Sequence, residues 1–386
     1  MGAAHVARGR PRQDDRLLPR PPDHALGWKR ESMIRGTFSA RAYSWLAVLA
    51  GAAMLPSCTS ASGAASPSRS VTPAPTPCTP GGTPPPARMG AAMTYDAATR
   101  TVVLFGGISG DGTPLSDTWA WDGCHWSQLK PAVSPPGRSF GALAFDASSG
   151  KVILFGGGAA NADPTRIDTW SWNGATWTEE HPATGPARLS NPLLTDDPTN
   201  GNLLLFGIGG PRFQTPLTWT WDGKNWTDRH PSKSPPYRNS AALAAGARSG
   251  VLLYGGAPAE TGTLNDSWAW DGSNWSQLHP STNPQGGPAF MAHEDARHDV
   301  VLVEAVTEQS GAREIIKGSS TWTWSGTNWT RQHPSSNPPV EWFRSIAYDK
   351  ARDRVVLFGG KDVNTNQATN DTWLWDGTNW SSASGS

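Results

Sequence analysis

Four arginines recur at a spacing of 50 residues and are the most regular charged groups of the chain. They are Arg88, Arg138, Arg188 and Arg238. A guanidinium carries its N–H donors in a planar fork that fits carboxylate and phosphate groups. Side chains that surround one opening would form a cationic arc for an acidic ligand. The alternative is that each arginine caps neighbouring carbonyl groups or pairs with a carboxylate of its own unit.

At the same position of the repeat, the fifth and sixth units have residues other than arginine. These are Gly286 and Glu341. The arc therefore has a gap, and Glu341 is a candidate rim residue of opposite charge. The alternative for Glu341 is that it neutralises Arg88 in the adjacent unit.

One group of possible metal ligands stands out, because histidine and carboxylate side chains bind metal ions together. It consists of His293, Glu294 and His298. The spacing is not the helical i, i+4 pair of zinc proteases. The three residues align with a strand-end hairpin of the other units, so we predict no metal site.

A longer motif dominates the chain: Trp-x-Trp-Asp-Gly-x-x-Trp, complete at residues 119–126. Six copies open at Trp119, Trp170, Trp219, Trp268, Trp322 and Trp373, and they hold 18 of the 21 tryptophans. A period near 50 residues indicates stacked supersecondary units that bury their apolar faces against each other. The tryptophans are therefore predicted to pack between units.

Each unit reads as four short strands. The second is an apolar run such as 152–155, and the third carries the Trp-x-Trp pair, whose period of two places both indoles on one sheet face. Asp-Gly or a related pair then predicts a hairpin into the outer strand. Six four-stranded antiparallel sheets around an axis make an all-β fold, a six-bladed β-propeller.

The second strand usually ends in a glycine doublet, and here the chain resembles kelch repeats, which combine an apolar strand ending in Gly-Gly with a downstream tryptophan. The doublets are Gly106-Gly107, Gly156-Gly157, Gly255-Gly256 and Gly359-Gly360. The resemblance covers residues 85–382. Gly207-Ile208 and Glu304-Ala305 depart from the doublet, so we expect the third and fifth units to turn differently there.

The kelch resemblance implies a propeller used for binding or, in some members, for oxidation. In some kelch propellers, arginines at the matching position line the mouth of the central channel and bind acidic ligands. The copper oxidases of this type need a cysteine crosslinked to tyrosine, a second tyrosine and two histidines. The cysteines and most tyrosines of this chain have other expected positions, so no cofactor and no catalytic residue is predicted.

The connections between strands differ at the two ends of such a propeller. Those after the first and third strands are short in every unit, whereas those after the second and fourth strands vary, and the fifth unit has the longest, at 306–319. Variable loops on a rigid frame are where binding residues usually lie. The end with the variable loops is therefore the predicted binding face.

The N-terminal region predicts export. Residues 33–57 read as a signal peptide, with an apolar run at 45–55, and residues 1–32 as an extension from a misassigned start. Leu55-Pro56-Ser57-Cys58 resembles the lipobox of bacterial lipoproteins, which implies lipidation of Cys58; plain secretion and a retained anchor are the alternatives. Residues 58–84 form a Ser/Thr/Pro-rich stalk before the propeller at 85–382.

The remaining cysteines are Cys78 and Cys124. Outside the cytoplasm a disulfide between them would join the stalk to the first unit, and two free thiols are the alternative. Residues 1–41 hold nine of the 32 Lys/Arg and four of the 32 Asp/Glu, which leaves 23 and 28, a net charge of −5, for the rest. This charge disfavours a nucleic-acid partner for the folded part.

Together these features predict a surface-anchored or secreted interaction module, expected to be a monomer. Its ligand is predicted to be a protein or peptide, acidic if the arginine arc is exposed. A carbohydrate-binding protein or carbohydrate hydrolase is the main alternative, and a structural envelope component is a third.

Overall fold

Each sequence repeat forms one four-stranded antiparallel sheet, and the six sheets are the blades of a six-bladed β-propeller. The protein, analysed as a computed structural model, is described over residues 82–383 except 160–162, 188, 211–212, 247–249, 260–261, 288, 295–296, 298 and 311–312. Within each sheet the strands follow one another in chain order. The fold predicted from the tryptophan repeat is confirmed.

The strands of blades 1 to 3 are as follows. Blade 1 contains β1 (Arg88–Met89), β2 (Ala92–Asp96), β3 (Thr101–Phe105), β4 (Ile108–Ser109), β5 (Thr118–Trp121) and β6 (Trp126–Leu129). Blade 2 contains β7 (Ala142–Asp146), β8 (Lys151–Ala159), β9 (Asp163–Trp172) and β10 (Trp177–Glu180). Blade 3 contains β11 (Leu189–Asp196), β12 (Leu203–Gly209), β13 (Thr215–Trp221) and β14 (Trp226–Asp228).

The strands of blades 4 to 6 complete the ring. Blade 4 contains β15 (Ala242–Ala245), β16 (Val251–Gly256), β17 (Leu264–Trp270) and β18 (Trp275–Leu278). Blade 5 contains β19 (Ala289–Glu294), β20 (Asp299–Ser310), β21 (Arg313–Trp324) and β22 (Trp329–Gln332). Blade 6 contains β23 (Glu341–Trp342), β24 (Ser345–Asp349), β25 (Arg354–Asp362), β26 (Ala368–Trp375) and β27 (Trp380–Ser382).

The apolar core lies between the blades. Each of six buried clusters joins residues of two neighbouring blades, and the three repeat tryptophans of a blade belong to the cluster shared with the preceding blade. Sixteen of the 18 repeat tryptophans are buried. Because a buried Trp covers roughly 150–250 Å², these indoles supply much of the contact between sheets. The predicted packing role is confirmed.

A polar bond repeats within each of these apolar interfaces. The indole N–H of the last repeat tryptophan donates to the hydroxyl of the residue that precedes the first repeat tryptophan of the previous blade. The six bonds run from Trp126 to Thr372, Trp177 to Thr118, Trp226 to Thr169, Trp275 to Thr218, Trp329 to Ser267 and Trp380 to Thr321, at 2.9–3.0 Å. The first of them closes the ring between blades 6 and 1.

The glycine doublets bend the second strands. Gly106 and Gly107 have φ values of 68° and 100°, in the left-handed region that favours glycine. The strand registers of blades 2, 4 and 6 shift at the corresponding doublets. In blade 3 the register of β12 with β13 is unbroken, and in blade 5 it runs unbroken to Val306. The prediction that these two blades differ is confirmed.

In five blades, the second strand continues past the position of the glycine doublet. A short segment at the entry to the first strand pairs with the inner edge of this continuation. The pairings are β1 with β4, Ser139 with Gly158, Leu189–Ser190 with Ile208–Gly209, Asn239 with Ala257, and β23 with β25. We call it the cover segment. In the described part of blade 5, β20 has no such pairing beyond Glu304.

Candidate functional site

Blade 2 shows where the periodic arginines lie. Arg138 forms a forked ion pair with Asp168, at 2.6 Å from Nη1 to Oδ1 and 2.7 Å from Nη2 to Oδ2. Its Nη1 also donates to the Gly156 carbonyl, and its Nε donates to the Pro136 carbonyl. Asp168 accepts a further bond from the Trp170 indole at 2.9 Å. We call this arrangement the arginine clasp.

The clasp recurs in blades 1 and 4. Its members there are Arg88 with Asp117 and Trp119, and Arg238 with Asp266 and Trp268. All three arginines are 1% exposed. Burial alone would raise the pKa of each aspartate, but hydrogen bonds from the arginine and its charge outweigh burial and hold the pKa below its usual value. This geometry favours the structural alternative for Arg88, Arg138 and Arg238 over a ligand-binding arc.

Blade 3 fills the clasp position with apolar side chains. Strand pairing places Leu189 there, so the sequence register that aligned Arg188 was displaced by one residue; Arg188 itself lies outside the described residues. Leu217 stands where the other clasps have aspartate, and both leucines belong to one apolar cluster. The buried Trp219 indole N–H then has no hydrogen-bond partner.

Blade 5 fills the position with a carboxylate. Glu304 is 1% exposed and accepts bonds from the backbone N–H groups of Gln285 and Gly286, from the Ser320 hydroxyl and from the Trp322 indole. Burial raises its pKa despite these bonds. The carboxylate thus holds the segment that enters β19 by its backbone.

Blade 6 has an ion pair of different origin. Glu341 is buried and bonds to Arg344 at 3.0 Å and to the Thr369 hydroxyl at 2.6 Å. Burial raises the pKa of Glu341 although Arg344 opposes the shift. Arg344 also bonds to Asp371 through one oxygen, at 2.6 Å. Glu341 is therefore paired inside its own blade and not with Arg88 of the neighbouring blade.

A central cavity of about 870 Å³ lies at the end of the propeller that carries the variable loops. All six blades contribute to its wall through the starts of their first strands, and Thr263, Thr307 and Ile316 contribute from the connections after the second strands. Most lining residues are apolar or small. The cavity therefore lies on the face that the loop pattern predicted.

One wall position is backbone-strained in a regular way. Five blades have a left-handed residue at the same place before the first strand: Gly90, Phe140, Asn191, Ser240 and Phe343, with φ between 50° and 63°. All five line the cavity. A bulky residue in this conformation is uncommon and is often found at functional sites. The equivalent residue of blade 5 is Pro288, which lies outside the described residues.

Two of these residues form an exposed aromatic pair. The rings of Phe140 and Phe343 meet edge to face with centroids 5.1 Å apart, and they are 44% and 40% exposed. Gly90 lies between them, bonded to both through the backbone, and a Cβ on it would lie 2.7 Å from the Phe140 ring. Sequence reasoning missed Phe140 because its spacing gives no periodic signal.

The other sequence candidates are placed as follows. Cys124 is disulfide-bonded; Cys58 and Cys78 lie outside the described residues, so both lipidation and the Cys78–Cys124 pairing stay predictions. Glu294 forms an ion pair with Arg297, and His298 is not described. Among the described residues, no three His, Cys, Asp or Glu side chains are grouped to hold a metal. The described residues also contain no helix able to span a membrane.

The comparisons with known proteins support the fold alone. No family model and no curated protein matches the chain. Among solved structures, YjhT is similar over 78% of this chain and 98% of its own, with a TM-score of 0.55 and 14% sequence identity. YjhT is likewise a propeller-type protein. At this identity the likeness shows the propeller, and the kelch assignment stays a prediction.

Proposed function

We propose that this propeller is a binding module that holds a peptide segment of a partner protein in the central cavity. The cavity itself carries the proposal. Its volume of about 870 Å³ lies in the range of binding pockets, about 300–1,000 Å³. Its wall is largely apolar, which suits the apolar and aromatic side chains that anchor protein interfaces.

The surroundings of the cavity support a macromolecular ligand. Ile167 and Ile315 are 43% and 42% exposed, and they lie in the first halves of β9 and β21, toward the cavity end. With Phe140 and Phe343 they account for four of the five large apolar side chains that are most exposed among the described residues. Exposed apolar groups that gather on one face mark interaction sites. Arg88, Arg138 and Arg238 give no support to a preference for acidic partners, because the clasps bury them.

Surface anchoring through Cys58 remains part of the proposal. The described chain begins at Gly82, beside His125 and Trp126 in the hairpin between the third and fourth strands of blade 1. That hairpin lies at the end opposite the cavity.

The test uses the full chain and a displayed library of random linear peptides. Peptides selected on the wild-type protein should lose binding to Thr263→Trp, which places an indole at the cavity wall. They should keep binding to Thr378→Trp, which adds the same side chain to an exposed hairpin at the opposite end. Failure to select any peptide that distinguishes the two variants would contradict the proposal.

A carbohydrate ligand is the second candidate, and the exposed Phe140–Phe343 pair is the observation that favours it. Sugars stack on exposed aromatic rings, and Asn191 and Ser240 add polar groups to the same wall. Binding on a glycan array that is lost in Phe140→Ala would support this candidate. Silence on the array together with peptide binding would leave the first.

A further inference from the structure

Blade 5 carries a two-stranded arm, formed by β20 and β21, which are the longest of the described strands. The parts of β20 and β21 beyond Glu304 and Ser320 pair with each other up to Ser310 and Arg313. Thr307 and its partner Ile316 line the cavity, whereas Glu308 and Ile315 on the other face are exposed. One face of the arm therefore belongs to the cavity wall.

Among the described residues, no strand pairs with the inner edge of this arm. In the other five blades a cover segment pairs with this edge, but the described residues of blade 5 form no such pairing. Gly287, the residue equivalent to Ser139, makes no bridge to β20. Unpaired strand edges offer N–H and C=O groups to another extended chain.

The direction of the free groups follows from one contact and from strand geometry. The Ala305 carbonyl oxygen lies 3.9 Å from the place of a Cβ on Gly287, so it points to the inner side. Backbone groups alternate in direction along an antiparallel strand. Those of Thr307 and Gln309 therefore face the same inner side, where no backbone hydrogen bond from the described residues reaches them.

Two sequence changes explain why the edge is uncovered. Glu304 replaces the first glycine of the doublet, and its carboxylate binds the Gln285 and Gly286 N–H groups at 3.1 and 3.2 Å. These bonds hold the preceding segment against the blade instead of along the arm. In addition, the left-handed position of the other blades is Pro288 in the sequence, and a proline ring fixes φ near −65°.

We propose that the bound peptide adds a strand to this edge, pairing with Thr307 and Gln309 while its alternate side chains enter the central cavity. The inference rests on the proposed peptide function and names its binding mode. Strand addition supplies affinity through main-chain bonds and specificity through pockets for every second side chain. The ligand is thus an extended segment, free of proline at its pairing residues, with apolar residues at every second position.

The experiment is an N-methyl scan of a peptide selected on the full chain. Methylation of a pairing amide removes one main-chain bond, so affinity should fall about fivefold to tenfold at alternate residues and stay within about twofold between them. In the protein, Thr307→Pro removes the inner N–H and should weaken the same peptide by a similar factor. Thr307→Val keeps that N–H while changing the same cavity-lining side chain, so it should weaken the peptide less than Thr307→Pro does.

The outcomes separate this inference from the proposed function. A peptide that Thr263→Trp blocks but that shows no alternation in the scan would leave the binding function and overturn strand addition. Loss of affinity in Thr307→Val equal to that in Thr307→Pro would also overturn it, since the side chain would then be the contact. A dimer that dissociates in Thr307→Pro would assign the edge to a second copy instead of a peptide. Alternating loss together with a smaller loss in Thr307→Val than in Thr307→Pro supports the proposal.

Discussion

Blades 2 and 5 fill the space beside the first tryptophan of the repeat differently, although in both a carboxylate accepts a bond from the indole N–H. In blade 2 the position holds the Arg138 guanidinium, paired with Asp168. In blade 5 it holds the Glu304 carboxylate, which binds two backbone N–H groups of the segment before β19. The clasp accompanies a second strand whose register shifts at the glycine doublet and a paired cover segment. The carboxylate accompanies a second strand whose register is unbroken to Val306 and an edge that no described residue covers.

Blade 3 adds a third solution that clarifies the comparison. Leu189 and Leu217 fill the same space without charge, and the cover segment still pairs with β12. The ion pair is therefore not needed for the cover segment to form. What distinguishes blade 5 is the carboxylate that draws the Gln285 and Gly286 amides toward itself.

The largest effect should come from breaking one clasp. Asp168→Ala leaves the Arg138 guanidinium buried without its carboxylate, and such a change costs about 3–5 kcal/mol. The free energy of unfolding from a urea titration measures it. Lys151→Ala removes a partly exposed partner of Glu180 at 3.7 Å and should cost less than about 1 kcal/mol. Equal losses in the two variants would contradict the structural role of the clasp.

A fall in pH should change the stability of blades 2 and 5 in opposite directions. The clasp aspartates have lowered pKa values, so their stabilising contribution is present above the unfolded-state pKa and is lost as the pH falls through the folded value. Glu304 has a raised pKa, so its contribution is complete below the unfolded-state pKa, about 4.3, and is lost as the pH rises through the folded value.

Hydrogen exchange, corrected for its intrinsic pH dependence, can follow both blades at once. From neutral pH to about pH 5, protection of β19 and β20 should rise relative to that of β7 and β8. Glu304→Gln should remove the pH dependence in blade 5 alone. A uniform response of all blades would show that the local carboxyl groups do not control it.

A smaller change is expected when blade 2 is given the chemistry of blade 3. Replacing a buried ion pair by apolar side chains of similar volume is often neutral. The free energy of unfolding of the double variant Arg138→Leu/Asp168→Leu should therefore lie within about 1 kcal/mol of the wild-type value. The single variant Asp168→Ala should be much less stable. A double variant as unstable as the single one would show that the clasp charge itself is required.

The smallest effect concerns the left-handed position that the other five blades share. Ser240 has a φ of 53°, and its hydroxyl forms no hydrogen bond with the described residues. Ser240→Gly should relieve backbone strain and stabilise blade 4 by about 0.5 kcal/mol after the entropy of the unfolded chain is counted. Ala241→Gly, one residue further along the chain, should destabilise instead. Thermal unfolding midpoints compare the two variants.

Much of the fold was predictable because the tryptophan repeat is a local pattern. The tryptophan spacing predicts a strand, a hairpin and an outer strand within eight residues, as at Trp119, Trp121 and Trp126. Six copies of this unit are compatible with few architectures. The glycine doublets also mark where the second strands bend, because two consecutive residues in the left-handed region are rarely anything but glycine.

The site was less predictable because charge pairing depends on contacts distant in sequence. Arg138 and Asp168 lie 30 residues apart, and periodicity alone left open whether the guanidinium faces solvent or a carboxylate. The Phe140–Phe343 pair joins residues from two blades that are distant in the chain. A shift of one residue at Leu189 likewise followed only from strand pairing.

The sequence by itself determined the number of blades, the tryptophan packing between them and the end that carries variable loops, because each of these follows from spacing within a unit. The tertiary structure decided which charged side chains form buried ion pairs inside the blades, where the cavity lies and which strand edge has no partner among the described residues. Those properties depend on side chains and backbone groups that meet only when six sheets close into a ring.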